Sequence, residues 1–219
     1  MQNLRLISDY KIGVRTIIKS IYGNLKLHAN SNGRGFGGFL LSGDTKLDLG
    51  SKAVVSNMGL FTMGLRPRHS HLSTNSGFLQ MAKNSQLTIN GRVNVGRGVR
   101  ICILENGQLQ LGDRVFINSN STVVCGSNIK IGDGSLISWD VEICDIDSHR
   151  VIREDSVIKK PIEIGQNVLV GRRAMIMKGV KIGDGSLVAA GSVVTRSAPD
   201  KSLIAGVPAR VIKREIEWE

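Results

Sequence analysis

The feature that most constrains the fold of this 219-residue sequence is a repeat of six residues. From position 164 the chain reads IGQNVL, VGRRAM, IMKGVK, IGDGSL, VAAGSV and VTRSAP, with Ile or Val first and a small residue fifth in each hexad. A period of six fits neither an α-helix nor a plain strand alternation. Three hexads make 18 residues, enough for a triangular coil with one short strand per side. Successive coils would stack by parallel pairing ~4.8 Å apart, which predicts an all-β parallel β-helix.

Similar hexads occur upstream, from Leu111 and Ile131, and a further copy starts at Ile89. We mark each coil by the second residue of an aliphatic-x-aliphatic pair. Ile131 and Ile164 are 33 residues apart, one 18-residue coil with 15 more, so a loop is predicted to leave the helix around residues 146–161. Loops of this kind on rigid solenoids often carry function. The coil starts are Leu27, Leu49, Ile89, Leu111, Ile131, Ile164 and Ile182.

Residues 1–24 have a different pattern. Apolar residues recur at helical spacing and are accompanied by basic ones, which predicts an amphipathic helix. Two interpretations remain open: a cap on the unpaired first strands, or a helix lying on a membrane surface. We therefore divide the chain into a helical cap (1–24), a β-helix (25–214) and a C-terminal tail (215–219). The apolar positions are Tyr10, Val14, Ile17, Ile18, Ile21, Tyr22 and Leu25.

Charge is distributed unevenly along the chain. Residues 1–110 hold 14 Lys and Arg against 4 Asp and Glu, a net charge of +10, whereas residues 111–219 carry +1. This asymmetry favours an anionic partner or serves solubility alone. The three cysteines form no CxxC pair, and no apolar run is long enough to span a membrane or to act as a secretion signal. These observations predict a cytoplasmic protein, at the inner face of the membrane if the helix binds there.

The unbroken hexads, followed by AGVPARVIK, resemble the hexapeptide-repeat acyltransferases, whose β-helix is left-handed. The resemblance implies direct acetyl transfer from acetyl-CoA and a homotrimer with its sites between subunits. It implies neither a metal nor a nucleic-acid partner. A zinc-dependent hydratase of similar fold would need three His, and the repeats offer only His149.

His149, in CDIDSHRV at the start of the predicted loop, is the candidate general base, because imidazole titrates near neutral pH. Relatives place a His on a similar loop. A carboxylate would orient the imidazole, with Asp147 preferred over Asp145; a main-chain carbonyl is the third option. Asn118, in VFINSNSTV, matches an Asn that binds the acceptor sugar in galactoside-type relatives, with Asn120 as the fallback.

The same resemblance assigns acetyl-CoA contacts to the C-terminal coils, where cations would meet the phosphates and backbone amides the pantetheine arm. The candidate residues are Arg172, Ala190, Thr195, Arg196, Arg210 and Lys213. The sequence thus predicts an acetyl-CoA-dependent O-acetyltransferase that modifies a sugar hydroxyl in surface polysaccharide or lipopolysaccharide assembly. An N-acetyltransferase, an antibiotic acetyltransferase and a non-catalytic polyanion-binding scaffold are the alternatives.

Overall fold

The computed structural model of the chain describes residues 14–29, 37–65, 74–147, 149 and 157–218. These residues form one helix, α1 (Val14–Ala29), and 22 short strands. In chain order the strands are β1 (Gly38–Leu41), β2 (Lys46–Leu49), β3 (Val54–Asn57), β4 (Leu60–Met63), β5 (Phe78–Met81), β6 (Gln86–Ile89), β7 (Val93–Val95), β8 (Arg100–Ile103), β9 (Gln108–Leu111), β10 (Val115–Ile117), β11 (Thr122–Cys125), β12 (Asn128–Ile131), β13 (Leu136–Ile137), β14 (Glu142–Cys144), β15 (Ile162–Ile164), β16 (Leu169–Val170), β17 (Met175–Met177), β18 (Lys181–Ile182), β19 (Leu187–Val188), β20 (Val193–Val194), β21 (Leu203–Gly206) and β22 (Ala209–Lys213).

Successive strands belong in turn to three sheets, which form the sides of a triangular prism. Sheet 1 follows the order β1-β4-β7-β10-β13-β16-β19-β21-β22, sheet 2 runs from β2 to β20, and sheet 3 runs from β3 to β18. All pairings between coils are parallel; the β21–β22 hairpin is antiparallel. We call the turns from sheet 1 to 2, from 2 to 3 and from 3 to 1 the first, second and third corners. The parallel β-helix expected from the hexads is therefore present.

The hexads explain the core. The aliphatic first residues are fully buried inside the prism, as Ile164, Val170, Ile176 and Ile182 show. The small fifth residues are buried beside them, and several are serines that join neighbouring coils. Ser135 Oγ, for example, donates to the Gly165 carbonyl at 2.8 Å and accepts from the Val168 amide at 3.0 Å. Small polar residues therefore satisfy backbone groups where the prism is too narrow for a larger side chain.

A ladder of aspartates follows the third corner. Asp113 Oδ1 accepts from the Arg92 amide, Asp133 Oδ1 from the Asp113 amide and Asp184 Oδ1 from the Gln166 amide, each at 2.8 Å. The glycines before these amides have a steric reason: a Cβ at Gly112 would lie 2.2 Å from Asp133 Oδ1. The recurring glycine–aspartate corner of the hexads is thus a hydrogen-bonded device that fixes the register between coils.

Helix α1 packs on the first strand through its small residues. Ser20 Oγ accepts from the Leu41 amide at 2.9 Å, and a Cβ at Gly23 would lie 2.5 Å from Leu41 Cδ1. The predicted apolar residues face the other way: Ile17, Ile18, Ile21 and Tyr22 are 49–61% exposed. The helix covers the prism end as a cap would, but its apolar stripe remains outside.

Two boundaries differ from the sequence prediction. Leu25 and Leu27, expected to start the first coil, lie within α1, so the β-helix begins at Gly38. Leu49 lies in β2 of sheet 2, whereas Ile89 lies in β6 of sheet 3, so the two residues mark different faces. Residues 1–13 of the predicted cap lie outside the described residues.

Arg97 ties the first coils together. Its guanidinium donates to Asp44 Oδ2 at 2.6 Å and to the carbonyls of Gly64 and Thr74. Burial raises the pKa of Asp44, but hydrogen bonds from Ser42 and Arg97 and the charge of Arg97 outweigh this and hold the pKa below its usual range. The coils with the least regular hexads therefore have polar contacts between them in addition to the core.

Candidate active site

The chain leaves the prism at the second corner, as the coil spacing predicts. Asp145 to Asp147 and Ile158 to Lys160 run antiparallel, through an isolated bridge between Ile146 and Lys159. The Asp147 amide donates to the Ile158 carbonyl at 2.8 Å, and the Lys160 amide donates to the Asp145 carbonyl at 3.0 Å. We call these two short segments the neck. His149 lies two residues beyond it and is exposed, so a substrate can reach its imidazole.

The two candidate carboxylates have different surroundings. Asp145 is fully buried and accepts from the Gly126 amide at 2.6 Å and the Ser127 amide at 2.9 Å. Asp147 is half-buried and pairs with the Lys178 ammonium. Among the described residues, no hydrogen bond joins either carboxylate to His149. Asp145 therefore anchors the start of the neck, and the role of Asp147 toward the imidazole stays a prediction.

The thiols near this corner are poor nucleophiles. Burial raises the pKa of Cys144, and its Sγ donates to the Ile146 carbonyl at 3.1 Å. Burial and the charge of Asp145 raise the pKa of Cys125 to about 12. Both remain thiols at neutral pH, which favours direct transfer over a thioester intermediate on the protein.

Asn118 and Trp139 lie at the first corner, in successive coils. Asn118 is half-buried next to the corner, directly after β10. Asn120 has a left-handed backbone (φ 62°), and its Oδ1 accepts from Asn75 Nδ2 at 3.3 Å, so it serves the corner itself. Trp139 Nε1 is buried without a hydrogen-bond acceptor among the described residues. Of the two asparagines, Asn118 is better placed to contact an acceptor.

The cofactor candidates lie on exposed surface in the last coils. Arg172 and Ala190 follow Trp139 up the first corner, and Arg172 Nε lies 3.3 Å from Asp140 Oδ2. Thr195 and Arg196 lie at the second corner, in the second coil beyond the neck. Arg210 and Lys213 are exposed on β22, at the end of sheet 1. These cations surround the C-terminal end of the prism.

Within one chain the predicted residues form two groups. Asn118, Arg172 and Ala190 follow the first corner, whereas His149 follows the second. The four steps from Val141 to Asp145 cross sheet 2 between the two corners, about 13 Å at ~3.3 Å per residue. Two grooves of about 360 and 530 Å³ open along the third corner, and neither is lined by any of these residues. A single chain therefore does not bring the base and the acceptor contact together.

Comparison with known proteins decides the family. Residues 161–196 match the model of the hexapeptide repeat of succinyl-transferase. An uncharacterized 24.8 kDa protein in the cps region of Klebsiella pneumoniae is 39% identical over 155 residues, 68% of this chain and 68% of that protein. The chain belongs to the hexapeptide-repeat acyltransferase family.

Two further hexapeptide-repeat proteins show how far the similarity extends. The galactoside O-acetyltransferase of Escherichia coli is 38% identical over 109 residues, 48% of this chain and 53% of that enzyme, so the chain spans about half the length of that relative. The crystal structure of the polysialic-acid-specific acetyltransferase NeuO has a TM-score of 0.61 and 24% identity, and covers 84% of this chain and 88% of that one. The NeuO likeness shows the fold over almost the whole described length.

One residue of this hexapeptide-repeat chain went unnoticed in the sequence. Lys178 Nζ contacts both Asp147 and the Val157 carbonyl, at the two sides of the neck. Pairing of β14 with β17 sets Cys144 beside Met177, so the next residues, Asp145 and Lys178, are neighbours across coils. Stacking coils by hexad number across the predicted loop would have placed this lysine near the loop.

Proposed function

We propose that this hexapeptide-repeat protein is an acetyl-CoA-dependent O-acetyltransferase, whose acceptor is a sugar hydroxyl of a surface polysaccharide or lipopolysaccharide precursor. The observation that carries the proposal is His149: an exposed imidazole held just beyond a hydrogen-bonded neck, in a chain of this family. The similarity to a galactoside O-acetyltransferase supports a sugar acceptor and transfer to oxygen.

The chemistry at His149 is general base catalysis. The imidazole takes the proton from the acceptor hydroxyl while the oxygen attacks the thioester carbonyl. The C–S bond then breaks, and the imidazolium returns the proton to the departing CoA sulfur. Backbone amides of a neighbouring coil are suitable donors to the oxyanion. Asp147, two residues away, is the proposed partner that orients the imidazole.

Exposed cations near the C-terminal end fit the donor. CoA carries phosphates, which guanidinium and ammonium groups bind through charge-assisted hydrogen bonds. Arg172, Arg196, Arg210 and Lys213 are all exposed and present four positive charges. Asp140 neutralises part of this charge beside Arg172. Thr195 and the main chain at Ala190 supply the uncharged contacts expected for a pantetheine arm.

We infer that the working unit is a homotrimer in which one chain supplies His149 and its neighbour supplies Asn118. The separation of the two corners within one chain supports this arrangement. So does the outward surface: sheet 3 exposes polar residues such as Gln108 and Lys130, whereas outward positions of sheets 1 and 2 are apolar. Such faces suit contact with further copies. The apolar outward residues are Phe116, Leu136, Leu169, Leu187 and Leu203 on sheet 1, and Val124, Cys144, Met175, Met177 and Val193 on sheet 2.

Titration calorimetry with acetyl-CoA tests the donor. We expect saturable binding of about one acetyl-CoA per chain with a Kd in the micromolar range, and little change when salt is raised, because a shaped groove adds to the charge attraction. A sulfated polysaccharide is the control, because a chain of net charge +11 attracts any anion. Equal binding of the polysaccharide, with both lost in salt, would instead identify a polyanion-binding scaffold.

We further place the enzyme in the cytoplasm at the inner face of the membrane, held there by α1. Within the described residues no helix is long and apolar enough to cross a bilayer. The exposed stripe of Ile17, Ile18, Ile21 and Tyr22 suits the boundary between headgroups and acyl chains. Lys19 borders this stripe, with its Nζ 5.6 Å from the Tyr22 ring centroid, and α1 contains no acidic residue. An anionic phospholipid surface therefore complements the helix in charge and polarity.

The double substitution Ile18→Glu/Ile21→Glu tests this contact. It should lower affinity for vesicles of phosphatidylglycerol and phosphatidylcholine at least ~10-fold, because two apolar side chains no longer enter the interface. Val207→Glu, which adds a carboxylate at a 72% exposed apolar residue in the β21–β22 turn, should leave binding unchanged. Cosedimentation measures both. Equal vesicle binding by the double variant and the unsubstituted protein would remove α1 as the anchor.

A further inference from the structure

The neck is the only described link between the prism and His149. It has few contacts of its own: one isolated bridge and two backbone hydrogen bonds join its strands among the described residues. Two-stranded pairs of this length are not stable by themselves in water. A contact from the prism to both strands of the neck would therefore decide how firmly His149 is placed.

Lys178 makes that contact. It follows β17 in the coil above the neck, and its side chain is 22% exposed. Its ammonium pairs with the Asp147 carboxylate on the outgoing strand. It also donates to the Val157 carbonyl, at 2.8 Å, on the returning side. One cation therefore joins both sides of the neck to the rigid stack of coils.

The contrast with Lys181 shows why this pair matters more than an ordinary surface ion pair. Lys181 Nζ lies 3.2 Å from Glu163 Oε2 on the outer face of sheet 3, with side chains 64% and 43% exposed. Exposed pairs of this kind contribute ~0–1 kcal/mol, because water screens them. Lys178 is more buried, bonds two acceptors and closes a loop, so its loss affects the geometry of a whole segment.

We propose that Lys178 is a positioning residue for acetyl transfer: it clamps the neck and thereby sets the place of His149. The proposal rests on the function proposed above for His149. Small displacements of a base from its substrate have large effects, up to ~10²-fold for ~1 Å. Lys178 itself touches neither substrate in this scheme.

The test compares Lys178→Met, Lys178→Arg and the matched control Lys181→Met. Methionine keeps the length of the side chain and removes the charge and the donors. We expect Lys178→Met to lower kcat about 10-fold while KM for acetyl-CoA changes less than ~2-fold, since the donor site lies on other residues. Arginine should restore most of the activity, and Lys181→Met should match the unsubstituted enzyme. An unchanged kcat in Lys178→Met would overturn the proposal.

A second readout does not depend on activity. Hydrogen exchange at the Asp147 and Lys160 amides, which close the neck, should be faster in Lys178→Met and unchanged in Lys181→Met. Faster exchange without any measurable acetyl transfer in the unsubstituted protein would leave the clamp in place and refute the proposed function. Unchanged exchange would refute the clamp, whatever the activity.

Discussion

Replacement of His149 by alanine is expected to lower kcat for acetyl transfer by 10²-fold or more. The loss follows from general base catalysis, which contributes ~10²–10⁴-fold, because the acceptor hydroxyl would have to be attacked by its neutral oxygen. The side chain is exposed and carries no hydrogen bond within the described residues, so its removal leaves the fold intact. Steady-state kinetics with an acceptor sugar and acetyl-CoA, followed by thiol release, measures the effect.

The control separates catalysis from binding and folding. His149→Ala should bind acetyl-CoA as tightly as the unsubstituted protein, and its Tm should be unchanged. Glu163→Gln, an exposed change on sheet 3, should keep full activity. A His149→Ala protein that retains its turnover number would refute the assignment of the base.

The same variant examines the shared site. If each site combines His149 of one chain with Asn118 of the next, trimers assembled from His149→Ala and Asn118→Ala chains contain some sites free of both substitutions. Mixing the two weakly active proteins under conditions of subunit exchange should therefore restore activity. Activity that stays at the level of the separate variants would place both residues in one chain.

Replacement of Asp145 by asparagine is expected to destabilise the protein by about 3 kcal/mol and to lower activity along with stability. Each carboxylate oxygen accepts one backbone amide, from Gly126 and Ser127. Asparagine has the same shape, but its NH2 group would face one of these donors inside a fully buried site. A lost charge-assisted hydrogen bond and an unsatisfied buried amide together account for this magnitude. Urea unfolding at a fixed protein concentration measures it.

Asp133→Asn is the matched control. Its Oδ1 accepts a single amide, that of Asp113, so the amide oxygen of asparagine can replace it, at a cost below ~1 kcal/mol. The comparison also examines whether Asp145 orients the imidazole. A large loss of kcat in Asp145→Asn with unchanged stability would contradict the anchoring role and favour direct contact with His149.

Periodic contacts explain why so much of the fold could be predicted. Each hexad repeats the same demands: an aliphatic residue such as Ile182 inside, a small residue such as Ser186 beside it, and a glycine at the corner. Because each coil contacts only its neighbours, a local pattern determines the global architecture. The excess of 15 residues between Ile131 and Ile164 likewise had to leave the prism, which located the segment that carries His149.

Features that depend on contacts between distant segments could not be predicted in this way. The apolar residues of α1 suggested a buried face, yet Ser20 and Gly23 make the contact, because close approach to Leu41 requires small side chains. The pair Leu25 and Leu27 fits a strand as well as a helix, and tertiary packing decided for the helix.

The sequence by itself thus determined the parallel β-helix, the segment that leaves it and His149 as the candidate base, since all three follow from the six-residue period. The tertiary structure alone decided that the first and second corners lie a sheet's width apart, that Asp145 bonds two backbone amides and that Lys178 joins both sides of the neck. The physical reason is that these contacts join residues 18 to 31 positions apart, and their partners are set by the stacking of coils rather than by neighbours in the chain.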